Sequence, residues 1–368
     1  MRKTSSKYFY SISQLFTNIK TVIHNEALII YRVSISDWTT TIIPTSFMLI
    51  GAFYVRLFSS IANPINNFSP IVVIKEFGFP RLLKILLYFT TFVMVANWHN
   101  QLNNKEEDLI NKPHRPIPSG LITVEGAKYR TVAISIIHPI VGYFVGGFGS
   151  LFGALLWLGW IMLYMKFDIH SNALSKNLYT AFGSWIQLVT TYHLIVGTKL
   201  NINDWWGHEP SMFNLVIFFF FLTTIHIQDF GDQDGDMLVG RKPFPLLIGD
   251  TVCRSLTTPL LFISAILIGG SARCLLHYYN LLHVYKNYDI IENSQLSLFK
   301  TTIGNMPMKA KFIFIEKVIM VMIACICTRL FTHRCPKQDQ FTYNICYGGL
   351  YVAVCFYYGM CINGVIEY

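Results

Sequence analysis

Long apolar runs recur along the whole of this 368-residue chain and restrict its fold more than any other feature. Each run has about the 17–25 residues that a helix needs to cross the hydrocarbon of a bilayer. Only helices or closed barrels can cross it, and these runs lack the alternation of barrel strands. We therefore predict an all-α membrane bundle of about nine transmembrane helices, at 38–58, 79–98, 131–148, 151–167, 177–197, 211–228, 254–272, 311–331 and 342–362.

The composition excludes the main soluble alternatives. Apolar residues make up 53% of the chain and charged residues 13%, whereas a soluble domain carries about 25% charged residues. So few charges cannot cover the surface of a soluble α/β enzyme of this length, and the chain is too apolar to be disordered. The net charge of +9 comes from basic residues between the apolar runs, which favours a membrane protein over a nucleic-acid-binding one.

The basic residues also predict the orientation. Residues 1–37 form a polar to amphipathic segment ahead of a single membrane domain at 38–368. The long polar stretches 99–130 and 229–253 follow even-numbered spans, so they share the side of the N-terminus. We expect this side to be cytosolic because cytosolic loops are rich in Lys and Arg, although basic residues in 273–310 argue against it. The expectation is a multi-pass protein of the endoplasmic reticulum with both polar stretches in the cytosol.

The second polar stretch begins with a cluster of carboxylates. Asp229, Asp232 and Asp236 are spaced i, i+3 and i+7, which places them within about 60° of one another on one helix face, while Asp234 points to the far side. Three carboxylates at the end of a membrane helix repel one another unless a divalent cation neutralises them. Their hard oxygens favour Mg²⁺, which also takes phosphate oxygens of a substrate. A solvated acidic helix end is the alternative for this triplet taken alone.

The first polar stretch repeats this arrangement. Gln101, Asn104 and Asp108 have the same spacing, and Asn100 and Glu107 flank the same face. Both stretches follow an apolar run and lead into a basic segment. Such a pseudo-repeat predicts two helix ends that offer oxygen ligands to one cavity.

The two stretches together resemble the motifs of a known family. The run NQLNNKEEDLINKPHRPIPSG resembles the first aspartate-rich motif of the UbiA superfamily of intramembrane prenyltransferases, and DFGDQDGDMLVGRKPFPLLIG resembles the second. The motifs stand in the family's order, about 120 residues apart. The resemblance includes the nine-helix bundle and covers nearly the whole chain.

The resemblance implies an enzyme that binds a prenyl diphosphate and Mg²⁺ inside the lipid bilayer, with no nucleic-acid partner and no protein partner inferred. The cation would stabilise the charge that develops on the leaving diphosphate. The implied metal ligands are Asn100, Gln101, Asn104, Glu107, Asp108, Asp229, Asp232 and Asp236. The implied catalytic residues are Asp108, Asp229, Asp232 and Asp236. The implied diphosphate-binding residues are Lys112, Arg115, Lys176, Arg241 and Lys242.

The first motif departs from the family pattern, because Gln101 and Asn104 stand where the family has aspartates. An amide coordinates through its carbonyl oxygen but brings no charge, so this helix is expected to bind metal more weakly or to use Glu107. A similar first motif, with an acidic pair before the NKP run, is found in fungal membrane-bound terpene cyclases of the superfamily. Further positions resemble the same subgroup, namely Gln228-Asp229, Gly240-Arg241 and Ser36-Asp37.

Two classes of enzyme therefore stay open. A terpene cyclase ionises farnesyl or geranylgeranyl diphosphate and traps the cation with the chain's own alkenes, whereas a prenyltransferase passes the prenyl group to a phenolic acceptor. The subgroup features favour the cyclase. A non-catalytic isoprenoid-binding protein is a third possibility, which the retained acidic triplet disfavours. No P-loop, Rossmann GxGxxG or HExxH motif occurs, so nucleotide hydrolysis, nicotinamide redox and zincin chemistry have no support.

Overall fold

The computed structural model describes residues 2–62, 73–167, 172–197, 211–278 and 308–362, and every regular element in these ranges is helical. The α-helices are α1 Arg2–Ser34, α2 Ile42–Ala62, α3 Phe79–Asn103, α4 Lys105–Asn111, α5 Val124–Lys166, α6 Ala173–Val196, α7 Ser211–Thr224, α8 Asp229–Leu238, α9 Phe244–Ile248, α10 Asp250–Tyr278, α11 Met308–Thr332, α12 Pro336–Phe341 and α13 Gly348–Ile362. Short 3₁₀ turns occur at Ile35–Asp37 and Ile225–Gln228, and π-helical turns at Val73–Gly78 and Thr342–Tyr347.

Helices cover all nine predicted spans, and the all-α prediction is confirmed. Five described helical segments are long and apolar enough to cross a membrane: Phe79–Asn103, Val124–Lys166, Ser211–Leu238, Asp250–Cys274 and Pro336–Ile362. A sixth is added if Thr17–Asp37 and Ile42–Leu57, which meet at an angle of 72°, count as one span. The count of nine crossings stays a prediction. Most of the segment 273–310, which bears on the orientation, lies outside the described residues.

The helix α5 contains two predicted spans, 131–148 and 151–167. Its two arms are separated at Gly147, where φ is 69°, a left-handed backbone conformation that glycine adopts without strain. A Cβ atom on Gly142 would lie only 2.8 Å from the carbonyl oxygen of Ser150, whereas residues eight apart in a straight helix are about 12 Å apart. The chain therefore turns back sharply at Gly147, slightly earlier than the sequence predicts.

The helices α2 and α13 meet at very close range. Gly51 in α2 lies against the backbone of Phe356 in α13, and Gly359 in α13 lies against the backbone of Met48 in α2. A Cβ atom at either glycine would overlap a backbone carbonyl group. Glycine lets two membrane helices approach in this way because it has no side chain between the backbones.

The two polar stretches meet at one end of the bundle. The helix α3 ends at Asn103, and Asn104 has the non-helical angles φ −114° and ψ 34° before α4 begins. The prediction of one continuous helical face from Gln101 to Asp108 is therefore wrong. The short helix α4 packs on α8, where the amide of Asn111 donates to the carbonyl oxygen of Asp232 at 3.2 Å.

Candidate active site

A cavity lies between the two polar stretches and continues into the bundle. Charged and amide side chains that line it include Asn100, Asn104, Glu107, Lys112, Arg115, Lys176, Asp232 and Arg241. Aromatic and small apolar side chains also line it: Phe92, Val93, Ala96, Trp157, Tyr164, Tyr179, Phe221 and Tyr343. The cavity volume is about 190 Å³, below the roughly 300–1,000 Å³ of ordinary ligand pockets. The enclosed volume is therefore small for a ligand of ordinary size.

The carboxylates of α8 share one helix face, as predicted. Asp229, Asp232 and Asp236 are all buried, while Asp234 is exposed. Only Asp232 is part of the cavity wall. The Nζ atom of Lys176 lies 2.7 Å from Oδ1 of Asp229 and 3.5 Å from Oδ2 of Asp236. Oδ2 of Asp229 is buried and has no hydrogen-bond partner among the described residues.

The break at Asn104 changes which residues of the first motif face the cavity. Asn100, Asn104 and Glu107 line it, whereas Gln101 and Asp108 do not. Gln101 is fully buried, and in the described part of the chain neither its amide oxygen nor its amide nitrogen has a hydrogen-bond partner. Asp108 accepts two hydrogen bonds, of 3.0 and 3.1 Å, from Nη1 of Arg115. The first motif thus presents one carboxylate and two amides to the cavity.

Basic side chains contact the carboxylates of both motifs. Arg241 donates hydrogen bonds to Glu107 and Asn104, and the Nζ atom of Lys112 lies 3.7 Å from Oδ2 of Asp232. The predicted diphosphate-binding residue Lys242 differs from the others, because it is exposed and does not line the cavity. Its backbone forms an isolated parallel bridge with Asn172.

The two adjacent acidic residues of α4 have pKa shifts of opposite sign. Burial alone would raise the pKa of Glu107, but the positive charges of Lys112 and Arg241 outweigh burial and hold it below its usual value. Burial raises the pKa of Asp108, and the opposing charge of Arg115 does not fully offset it. Glu107 is therefore the carboxylate of this pair that lines the cavity and contacts Arg241, while Asp108 forms an ion pair with Arg115 away from the cavity wall.

The donor atoms of the site fit Mg²⁺ by their chemistry, because carboxylate and amide oxygens are the hard ligands that this ion prefers. Within the described ranges, no three His, Cys, Asp or Glu side chains lie close enough together to hold a metal ion. Lys176 and Arg241 occupy the space beside the carboxylates instead. The predicted ligand set would assemble only when these basic side chains turn away, and it stays a prediction.

Four aromatic rings form a continuous wall of the cavity. Phe92 and Trp157 are stacked with ring centroids 4.6 Å apart, Trp157 lies 5.4 Å from Tyr179, and Tyr179 is stacked on Tyr164 at 4.0 Å. Gly183 leaves room for Trp157, because a Cβ atom there would lie 2.8 Å from the indole ring. The faces of aromatic rings attract cations, so this wall is suited to a positively charged guest.

Two polar residues of the cavity wall, Asp37 and Gln187, are not among the site residues that the sequence predicts. The Nε2 atom of Gln187 donates to the backbone carbonyls of Thr40 and Thr41 at 3.3 and 3.1 Å. Asp37 lies at the edge of an apolar run, and Gln187 lies inside one. Burying a polar side chain in such a run costs free energy, and polar residues found there are often functional. That position in the sequence was the available signal.

Comparisons with known proteins show what this chain is similar to. A family model described as the UbiA prenyltransferase family matches residues 71–287, which is more than half of the chain. The diterpene cyclase eriG of Hericium erinaceus is 29% identical over 237 residues, which cover 64% of this chain and 69% of that protein. Somaliensene A/B synthase of Streptomyces somaliensis is 31% identical over 219 residues, 59% of this chain and slightly under two thirds (64%) of that protein.

A solved structure has a similar fold. It is described as a UbiA homolog from Archaeoglobus fulgidus bound to DMAPP and Mg²⁺. The match has a TM-score of 0.50 and covers 86% of this chain and 99% of that chain. The sequence identity is 14%, so the similarity concerns the fold alone.

Proposed function

This chain belongs to the UbiA prenyltransferase family of multi-pass membrane enzymes, and on that premise we propose that it is a Mg²⁺-dependent terpene cyclase. Its substrate is a prenyl diphosphate, farnesyl or geranylgeranyl, which it ionises and cyclises within the membrane. The observation that carries the proposal is that a cluster of paired charges and a four-ring aromatic wall line the same cavity. A cyclase needs both, because it must bind a leaving diphosphate and shelter the cation left behind.

The basic residues would bind the diphosphate. The Nε atom of Arg115 is buried without a hydrogen-bond partner among the described residues, and its guanidinium offers directional donors to phosphate oxygens. Lys176 and Arg241 would turn from their carboxylates toward the phosphates. That movement frees the oxygens of Asp229, Asp236 and Glu107, because these basic side chains now contact them.

The oxygen donors would then hold Mg²⁺. Among the predicted ligands, Asn100, Asn104, Glu107 and Asp232 line the cavity, and Asp229 and Asp236 lie on the same face of α8 as Asp232. Gln101 and Asp108 are less suited because they do not line it. When bound, the ion supplies positive charge that stabilises the negative charge developing on the leaving group.

The aromatic wall would stabilise the prenyl cation. Trp157, Tyr179 and Phe92 line the cavity, and aromatic rings attract cations more strongly where water is excluded. The two relatives described above support this choice, because one is named a diterpene cyclase and the other a synthase.

An aromatic prenyltransferase is the second candidate. Ser184 and Gln187 line the cavity and could hydrogen-bond the hydroxyl group of a phenolic acceptor. The ionisation step would be the same, and the acceptor ring would replace the internal alkene as the nucleophile.

One assay separates these functions. Membranes containing the protein are incubated with geranylgeranyl or farnesyl diphosphate, with Mg²⁺ or with a chelator, and with or without a phenol. A Mg²⁺-dependent cyclic hydrocarbon formed without the phenol supports the cyclase. A prenylated phenol as the only product identifies a transferase, and no turnover leaves an isoprenoid-binding protein.

The location of the site follows from the same proposal. We expect the protein in the endoplasmic reticulum, with residues 99–130 and 229–253 facing the cytosol and the segment 1–37 preceding the catalytic membrane domain 38–368. The partners expected are the prenyl diphosphate and the bilayer, with no nucleic acid and no protein. Labelling of a single reporter cysteine placed in each stretch, with a membrane-impermeant reagent on sealed microsomes, tests the orientation.

A further inference from the structure

Asp37 is an acidic residue of the cavity wall that belongs to neither acidic motif. It ends the short turn Ile35–Asp37 between α1 and α2. The other two carboxylates that line the cavity, Glu107 and Asp232, are both in the motifs, and each is paired with a basic side chain of the opposite motif. The role of Asp37 therefore has to be sought outside the metal-binding motifs.

Hydrogen bonds fix one carboxylate oxygen of Asp37. Its Oδ2 atom accepts from Nδ2 of Asn97 at 2.7 Å and from the hydroxyl of Ser36 at 3.1 Å. Asn97 is buried and is itself held in place, because Nδ2 also donates to the carbonyl oxygen of Val33 at 2.8 Å. The described residues make no hydrogen bond to Oδ1. The carboxylate is thus fixed through one oxygen and has the other available to a guest.

Asp37 lies beside a basic residue of the cavity wall. Nη2 of Arg115 lies 3.9 Å from Oδ2 of Asp37, while Nη1 of Arg115 is hydrogen-bonded to Asp108. This contact puts Asp37 beside a proposed diphosphate-binding residue. The aromatic residues Tyr179 and Tyr343 line the same cavity.

We propose that Asp37 is the base that ends the reaction by taking a proton from the cyclised prenyl cation. The assignment rests on the proposed cyclase function. A C–H bond next to the cationic carbon breaks, its electron pair forms a C=C bond, and the proton goes to Oδ1 of Asp37. The proton passes to the released diphosphate or to water when the product leaves, so the step needs no further reactant.

The other carboxylates of the cavity are less suited to this step. Glu107 accepts a hydrogen bond from Arg241, and Asp232 lies 3.7 Å from Lys112, and both carboxylates belong to the motifs proposed to hold Mg²⁺. Asp37 lies 3.9 Å from Arg115 but belongs to neither motif, and Asn97 and Ser36 hold its Oδ2 atom. A general base must reach the proton that it removes, and Asp37 lines the cavity in which the cation would form. Without it, the cation would be captured by water or would lose a proton at another carbon.

The test measures the ionisation of the substrate and the deprotonation of the cation separately. Pyrophosphate release and the product distribution are measured with Mg²⁺ for the wild type, Asp37→Asn, Asp37→Glu and the control Glu125→Gln, a carboxylate-to-amide change at an exposed position. We expect Asp37→Asn to release pyrophosphate within about threefold of the wild-type rate. The share of the main hydrocarbon should fall about tenfold or more, since a general base contributes about 10²–10⁴-fold. Alcohols or isomeric olefins should replace it, and Asp37→Glu should keep part of the original profile.

The contrary outcomes are distinct. An unchanged hydrocarbon profile in Asp37→Asn overturns the assignment. An equal loss of pyrophosphate release and of hydrocarbon also overturns it, because Asp37 would then act on ionisation through Arg115. Thermal unfolding of each purified variant shows whether such a loss comes from the fold. If the wild type releases no pyrophosphate unless a phenol is added, the cyclase proposal itself fails.

Discussion

The two polar helix ends face one cavity but are built differently. In α8 the helix is continuous across its motif, and three buried carboxylates share one face. At the end of α3 the helix breaks at Asn104, and the cavity receives two amides and the single carboxylate of Glu107. The two motifs therefore occupy equivalent places at the ends of two helices, as the spacing suggests, but they do not carry the same charges.

The difference also appears in the ion pairs. At the first end Glu107 pairs with Arg241 and Asp108 with Arg115, one acid to one base. At the second end Asp229 and Asp236 share Lys176, and Lys112 lies beside Asp232. Arg241, which is already bonded to Glu107, lies 3.8 Å from Asp236, so the three carboxylates of this end have two basic groups of their own and share a third. A divalent cation is attracted most strongly where carboxylates outnumber basic groups. We infer that α8 supplies most of the affinity for Mg²⁺, while the first end orients the metal and the diphosphate.

The strongest test of this difference replaces one predicted metal ligand at each of the two helix ends. Asp232→Ala should lower turnover by about 10²-fold or more, since a metal ion contributes several kcal/mol to the transition state. Asn104→Ala should lower it by no more than about tenfold, because a neutral ligand is lost. Turnover is measured across a Mg²⁺ titration, with Asp234→Ala as the exposed control on the same helix. Equal losses at the two positions would refute the asymmetry.

Substitution of Lys176 tests whether negative charge is in excess at the end formed by α8. Lys176→Met leaves Asp229 without its basic partner and leaves Asp236 with only Arg241, whose Nη1 atom lies 3.8 Å from Oδ1 of Asp236. Breaking a buried ion pair from one side costs up to about 3–5 kcal/mol. We expect the purified protein to unfold at a clearly lower temperature, and added Mg²⁺ to restore part of the loss. Lys242→Met, at an exposed position, serves as the control. Unchanged stability of Lys176→Met would mean that the two carboxylates do not need the lysine's charge.

Arg115 tests the diphosphate end of the first motif. Arg115→Lys keeps the charge but loses the planar fork, and a hydrogen bond to a charged group is worth about 1.5–3 kcal/mol. We therefore expect kcat/KM to fall by about tenfold to a hundredfold, with the fold retained. Steady-state kinetics with varied prenyl diphosphate measures both constants. Unchanged kinetics would mean that Arg115 serves only the membrane topology.

The smallest expected effect comes from restoring charge to the first motif. Asn104→Asp puts a carboxylate beside Arg241 at a half-buried position of the cavity wall. An ion pair of this kind is worth at most about 1 kcal/mol, so Mg²⁺ affinity should change by no more than about fivefold. If the amide belongs to a cyclase pocket, the share of the main cyclic product should fall, as gas chromatography would show. A second carboxylate at Gln101 is expected to add destabilisation, because that side chain is buried away from the cavity.

The sequence predicts the helices and the carboxylate face of α8 because both follow from patterns within short segments of the chain. Apolar runs of membrane-spanning length give the helix positions, and the i, i+3, i+7 spacing of Asp229, Asp232 and Asp236 gives the shared face. The same reasoning failed at Asn104, where the spacing looked helical but the helix breaks. A periodic pattern carries no sign of such a break, because asparagine is tolerated both in helices and at their ends.

Contacts between distant segments could not be predicted. Asp37, Glu107 and Tyr343 reach one cavity from three parts of the chain, and only packing decides which side chains meet. The pairing of the predicted carboxylate ligands with basic side chains could not be predicted for the same reason. Opposite charges on separate segments neutralise one another once the fold brings them together. The spacing of residues within one segment does not reveal which charges will meet.

The meeting of α2 and α13 also affects how the protein is made. Gly51 and Gly359 are about 300 residues apart in the sequence, so at about 5–20 residues per second the ribosome needs roughly 15–60 s to reach the second after the first. During this time the glycine face of α2 lacks its native neighbour. Correct assembly therefore requires that α2 stay without this neighbour until α13 is inserted. A chain that terminates before Gly348 lacks α13 and would never form this contact.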